Sequence, residues 1–384
     1  MALRDRLDLG LIESWRQGKR PMWPWHRRSR EESLARRAAA HESIEKSIGR
    51  LDGERWSDRR KVLVSALDRA SAGSRSSSPQ IASHDRWAGV VSVLKAYIAI
   101  TKPRIIELLL VTTIPTMILA AGGWPDLSTM IAVIIGGTLA AGGASTFNSV
   151  YDRDIDRVMQ RTAHRPVASG LISPRAGLIF GLALSIVSVV VLWWWTTPLA
   201  AALAGVAILA YAVGYTVVLK RRTASNIVWG GAAGCMPVLI GWAAVTGSLS
   251  WAPVALFFIV FFWTPPHYWP LSLRYREDYA SAGVPMLPVV AEPRTVMRHI
   301  AGHSLAMVAA SIALIFLAPM GWVYTIAAIV LGALFLAEVA RLWVSVSRGL
   351  ADPAPMRLFH GSITYLATLF FAIGIDPFVG SPLL

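Results

Sequence analysis

Asn148, Asp152 and Asp156 stand four residues apart in NSVYDRDIDRVMQRTAHRPVASG, a segment that sets three aspartates and four arginines beside long apolar runs. A step of four advances only about 40° around a helix, so all three point to one side. Two carboxylates and an amide oxygen are hard ligands that suit Mg2+, which takes one or two carboxylates and completes its octahedron with water and phosphate oxygens. Arg161 and Arg165 follow closely, and planar guanidinium groups can grip phosphate oxygens two at a time. Carboxylates for a metal, with cations around it, are what a diphosphate requires. Asp154 falls about 200° from Asp152 and is expected to pair with Arg153 or Arg157 instead. Spacing alone keeps a second reading open: a solvated helix face whose ion pairs cancel locally, each worth about 0–1 kcal/mol.

Two further polar segments add candidates. In GYTVVLKRRTASNIVWGG, Tyr215 leads into Lys220, Arg221 and Arg222, and Asn226 opens the next apolar run. Ordinary anchoring at a membrane face accounts for Arg222. In FFWTPPHYWPLSLRYREDYASAGVPMLPVV, Pro265 and Pro266 are expected to end or kink a helix. His267 sits among Trp263, Tyr268 and Trp269, where it is either a satisfied structural residue or a ligand. Glu277 and Asp278 form a second acidic point half a chain after the first.

The elements that must hold these groups are read from hydropathy. Of 384 residues, 54% are hydrophobic and 16% charged. A helix of about 20 apolar residues spans the roughly 30 Å hydrocarbon core, and backbone in lipid must satisfy itself internally. Runs at approximately 105–122, 130–147, 176–195, 199–219, 227–246, 252–268, 300–318, 323–345 and 362–379 predict an all-α, polytopic membrane protein. The gaps after the second, fourth, sixth and eighth runs carry the arginines and lysines, whereas GGWPDLST, TTP, TGSLSWAP, APMGW and the tail DPFVGSPLL have none. The positive-inside rule then puts the amino terminus and the basic loops in the cytoplasm and the carboxyl terminus outside.

The net charge of +14 is thus largely topological and implies anionic lipid at the inner face, not nucleic acid. Residues 1–90 differ in kind: polar, basic and without an apolar run, they read as a poorly ordered cytoplasmic extension, with residues 91–384 as the membrane domain. SAGSRSSSPQ is a linker by composition. The single cysteine, Cys235, lies in a small-residue packing surface. Glu107 and Glu338 are the acids read within the spans, and Arg341 one turn from Glu338 is its expected partner. Acids gathered in loops favour chemistry at the interface over a transporter's conduit.

At these loops the chain resembles a known family. NSVYDRDIDRVMQRTAHRP fits the NxxxDxxxD signature of the UbiA-type intramembrane prenyltransferases. YIAITKPRIIELLLVTTIP, YTVVLKRRTASNIVWGGAAGCMPVLIGW and WTPPHYWPLSLRYREDYASAGVPMLPVV are similar to its heme O synthase branch, over about residues 95 to 380. The resemblance implies nine transmembrane helices around a central cavity in a bacterial plasma membrane. It implies farnesyl diphosphate bound through Mg2+, heme B as acceptor, and handover of product to a downstream heme-modifying membrane enzyme. Carried over by position, Asn148, Asp152, Asp156 and Asp278 become metal ligands. Asp152, Asp156, Arg161 and Lys220 become catalytic groups, with Lys102, Arg161, Arg165, Tyr215, Lys220 and Arg221 around the diphosphate and His267 toward heme. Quinone-type relatives place another aspartate where this chain has Ala282, and a quinone-ring acceptor is the alternative within the family.

Overall fold

The computed structural model describes residues 84–350 and 354–379; the extension read at 1–90 therefore lies, up to residue 83, outside the described residues. The order is α1 (His84–Ile100), α2 (Pro103–Ala121), α3 (Leu127–Tyr151), the short α4 (Arg153–Val158), α5 (Pro174–Trp195) and α6 (Pro198–Leu209). A π-helical segment, Ala210–Leu219, continues α6. Then come α7 (Asn226–Thr246), α8 (Trp251–Arg274), the short α9 (Arg276–Ser281) and α10 (Leu287–Val290), α11 (Pro293–Leu317), α12 (Trp322–Ser347) and α13 (Pro355–Val379). No strand occurs among the described residues. Nine of these helices are long and apolar enough to cross a membrane, α6 counting together with its π continuation. The chain is an all-α integral membrane protein.

Local chemistry sets the helix ends. Asp126, Ser173 and Thr197 accept from backbone amides three residues on, at 2.9, 3.2 and 3.2 Å, as N-caps do. Pro103, Pro174, Pro198 and Pro293 open helices at positions that need no N–H donor. Gly122 and Gly247 close α2 and α7 at φ 64° and 68°, the left-handed geometry that glycine adopts without strain.

The spanning helices pack in chain order, α2 on α3, α3 on α5, and so on to α13, which returns against α2 and closes the ring. Small residues make the α3–α5 seam. A Cβ on Gly143 would stand 2.5 Å from the Ser185 hydroxyl and 2.9 Å from the Gly181 carbonyl, and one on Gly136 would stand 2.6 Å from Leu192. Close backbone approach of this kind drives helix pairing where lipid removes the hydrophobic difference. It fixes the trajectory of α3, whose last turn carries Asn148.

Two expectations gain detail. Of the two outcomes open to Pro265 and Pro266, ending the helix is excluded: α8 runs through them, and through Pro270, to Arg274. Packing against α7, α11 and α13 holds the helix despite the missing donors. Glu338 pairs with Arg341 at 3.7 Å, as expected, and also meets Arg357 at 2.7 Å, because α13 brings Arg357 alongside.

Asp376, read from sequence as the start of the tail, is a third acid within a spanning helix. At the end of the bundle whose loops lack lysine and arginine, it is buried and accepts from the backbone amides of Gly321 and, at 2.9 Å, Tyr324. It thus caps the start of α12 from the neighbouring helix α13. Trp124, Trp195, Trp251 and Trp322 lie exposed at this same end, the belt expected where protein meets headgroups.

Candidate active site

The opposite end holds the polar cluster. α3 stops at Tyr151, and Asp152 joins it to α4 with φ −85° and ψ 8°. The i→i+4 hydrogen bonds continue across the joint, Asp152 N–H to Asn148 C=O at 2.9 Å and Asp156 N–H to Asp152 C=O at 2.8 Å. Asn148, Asp152 and Asp156 therefore stay on one inward side, and each is at most 3% exposed. Charge buried to that degree must be paired.

Each of the three has a cation or amide partner. Asp152 receives Lys220 Nζ on Oδ2, the Asn148 Nδ2 amide on the same oxygen at 2.6 Å, and Arg221 Nη2 on Oδ1 at 3.5 Å. The Asn148 Oδ1 oxygen accepts from Lys102 Nζ at 2.6 Å. Asp156 takes Arg165 Nη1 across both oxygens, at 2.9 and 3.0 Å. The geometry thus gathers Lys102, Asn148, Asp152 and Lys220 into one contact chain, with the Asp156–Arg165 pair beside it. Burial lowers the Lys102 amine to about 7, helped by Arg165 and Lys220 and opposed by the two aspartates.

Asp154 departs from its expected pairing. It binds Arg221 by two bonds of 2.7 and 2.8 Å, which hold its carboxyl at about 2. Arg153 and Arg157 donate instead to the Val150 and Ala168 carbonyls. Arg221 also donates to the Tyr151 carbonyl at 3.1 Å and lies 4.7 Å over the Tyr151 ring. Its guanidinium is a clamp between the loop after α6 and the end of α3.

Asp278, expected as a fourth metal ligand, lies beside the turn after α4. Its carboxylate accepts from the backbone amides of Gln160 and Arg161 at 3.1 and 3.3 Å, because the turn after α4 leaves those donors without helical partners. Beside the buried pairs, Asn148, Asp152 and Asp156 together offer two carboxylates and one amide oxygen. Arg161 packs among tyrosines. It reaches the Tyr279 hydroxyl at 3.2 Å and lies 5.5 Å over Tyr275. Tyr279 in turn shares a 2.9 Å hydrogen bond with Tyr268.

Tyr215 packs beside Tyr211, with ring centroids 5.4 Å apart, and lies so close over Gly230 that a Cβ there would meet its ring at 2.1 Å. His267 is stacked between Trp263 and Phe359, at 4.2 and 4.6 Å between centroids, with Nδ1 2.8 Å from the Ser362 hydroxyl. Sequence reasoning missed Thr216, whose hydroxyl in an apolar run gives no spacing signal, and gave the linked hydroxyls of Tyr268 and Tyr279 no role.

The model of the UbiA prenyltransferase family matches residues 109–363. The chain belongs to that family. A protoheme IX farnesyltransferase from Leifsonia xyli subsp. xyli is 56% identical over 289 residues, covering 75% of this chain and 94% of the relative. Another from Clavibacter sepedonicus is 56% identical over 290 residues with the same coverages, and one from Kineococcus radiotolerans is 54% identical over 298. Among solved folds, a digeranylgeranylglyceryl phosphate synthase superposes with a TM-score of 0.62 at 17% identity, over 74% of this chain and 99% of that one. A UbiA homolog from Archaeoglobus fulgidus, solved with GPP and Mg2+ bound, gives 0.52 at 18% identity over 72% and 99%. At such low identity these two speak for the fold alone. As a UbiA family member related this closely to protoheme IX farnesyltransferases, the chain is a prenyltransferase.

Proposed function

We propose that this prenyltransferase moves a farnesyl group from farnesyl diphosphate to a vinyl group of heme B, with addition of water, giving heme O and diphosphate. The observation that carries the reading is identity of 54–56% to protoheme IX farnesyltransferases over 88–94% of their length. The buried constellation at the end of α3 supports the diphosphate half of the reaction.

The donors fit Mg2+: Asn148, Asp152 and Asp156 offer only hard oxygens, with no thiol or imidazole among them. Bound there, the ion would supply Lewis-acid neutralisation of charge on the leaving diphosphate. The chain's own cations do the rest. Lys220 and Arg165 are already held on Asp152 and Asp156 and shielded from most of the water, so an arriving diphosphate exchanges partners with them and draws little further hydration from the cations. Burial brings the Lys102 amine down to about 7, and phosphate oxygens would favour its charged form. Arg221 and Arg161 act at the margin, holding Asp154 and the tyrosine group in place.

As the allylic C–O bond breaks, its electron pair leaves with diphosphate. The heme vinyl π pair then forms the new C–C bond, leaving a heme-side cation that takes a water oxygen and sheds a proton. Lys102, Lys220 and Arg165 stabilise negative charge where it develops. Aromatic faces such as Tyr215 can shelter the cation. His267 is assigned to the heme, with its ring fixed by Trp263, Phe359 and Ser362.

The enzyme sits in the bacterial plasma membrane with the cluster and basic loops at the cytoplasmic face and the carboxyl terminus outside. Residues 91–384 form the catalytic domain, and 1–90 a polar, basic cytoplasmic extension. The farnesylated heme leaves into the bilayer for handover to a heme-modifying membrane enzyme. The test is to incubate the detergent-purified protein with heme B, farnesyl diphosphate and Mg2+, then analyse extracted heme by mass spectrometry. Heme O is expected. Heme B alone, beside a working control synthase, would reject the assignment.

A further inference from the structure

Thr216 is fully buried and sits in the π-helical segment that ends the fourth span. Its hydroxyl donates to the Tyr211 carbonyl, five residues back, at 2.9 Å. Other helix hydroxyls here, such as Thr146, Ser185 and Ser304, reach the carbonyl four residues back. With its proton committed to Tyr211, the Thr216 oxygen can only accept, and it does so from Asn148 Nδ2 at 3.2 Å.

The register is matched twice. Thr216 and Lys220, four apart, face Asn148 and Asp152, four apart, with the same separation of 68 residues in both pairs. A wide turn adds one residue to the helical ladder and so rotates everything after it by about 100°. The π segment therefore decides whether Thr216 and Lys220 meet α3 at all.

The consequence falls on Asn148. Its Nδ2 protons go to Asp152 and Thr216, so its Oδ1 is turned toward Lys102 and the proposed metal. We infer that Thr216 is a positioning residue that locks the Asn148 amide with its oxygen outward. This rests on the diphosphate–Mg2+ reading above and adds to it a residue that touches neither ion nor substrate. Outer partners of this kind typically change metal affinity by about 10–100-fold when removed.

The test uses the full chain in detergent with farnesyl thiolodiphosphate, an unreactive analogue. Mg2+ half-saturation is read from thermal stabilisation, alongside the Mg2+ dependence of turnover. Thr216→Val, nearly isosteric, is expected to raise the half-saturating Mg2+ about tenfold, and Thr216→Ser to stay within about twofold of wild type. In an Asn148→Ala background, Thr216→Val should add nothing further, because its effect runs through Asn148. Wild-type Mg2+ dependence in Thr216→Val, or an undiminished effect without Asn148, overturns the inference. Asp152→Asn separates the two levels: if it too keeps the wild-type Mg2+ response, the metal reading itself falls. If it alone loses the response, only the role of Thr216 falls.

Discussion

Replacing Lys220 by methionine isolates the buried pair at the centre of the cluster. Asp152 is fully buried and the Lys220 side chain is 13% exposed, so little water can replace the lost ammonium. Arg221 stands 3.5 Å from the far oxygen of Asp152 but is already bound twice to Asp154. The variant therefore strands a buried carboxylate, which typically costs about 3–5 kcal/mol. At about 2–4 °C per kcal/mol, Tm should fall by roughly 6–20 °C. Lys220→Met/Asp152→Asn removes both charges, leaves an amide that Asn148 can still contact, and should recover at least about 2 kcal/mol of that loss. Turnover should not recover, because both groups act on the diphosphate in the mechanism proposed. The assay is thermal unfolding followed by tryptophan fluorescence, with heme O formation measured on the same preparations. A single variant within about 0.5 kcal/mol of wild type, or a double variant equal to the sum of its singles, would refute the reasoning.

Gly143→Val forces a side chain into the Ser185 hydroxyl and Gly181 carbonyl; a loss of about 1–3 kcal/mol with reduced turnover is expected in the same unfolding assay. Asp376→Ala strands the Gly321 and Tyr324 amides at the far end and should cost about 3 kcal/mol, yet leave KM for farnesyl diphosphate unchanged; steady-state kinetics check the second half. Asp154 has its carboxyl lowered from 3.8 to about 2 by Arg221. Its contribution is thus fully present above about pH 4 and is lost as pH falls through about 2. Acid unfolding of Asp154→Asn should lack that component, and superimposable wild-type and variant curves would contradict it. His267→Ala should weaken heme B binding at least about tenfold, read by absorbance titration; unchanged heme affinity and turnover would confine His267 to its aromatic stack.

The spans were legible because burial in lipid imposes a local rule, long apolar runs, that any window of the chain displays. All nine observed helices overlap the runs read from hydropathy, and the caps at Asp126, Ser173 and Thr197 obey equally local rules. The aspartate spacing was legible for the same reason: the helical repeat continues through Asp152 although the helix itself breaks there. Partners were not legible. Arg153 and Arg157 lie within a few residues of Asp154 in sequence, but it chose Arg221, 67 positions away, because α3 and α6 run side by side.

Thr216 was invisible for a related reason, since the π turn that aims it comes from how α6 packs and leaves no trace in hydropathy. Asp278 was legible as an acid in the corresponding loop, and only tertiary contact adds that it accepts from the Gln160 and Arg161 amides. Composition and periodicity determine which groups leave water, since transfer free energy is a property of each side chain. Which buried charge meets which depends on register and crossing between distant helices, and those are fixed by the packing of the whole bundle.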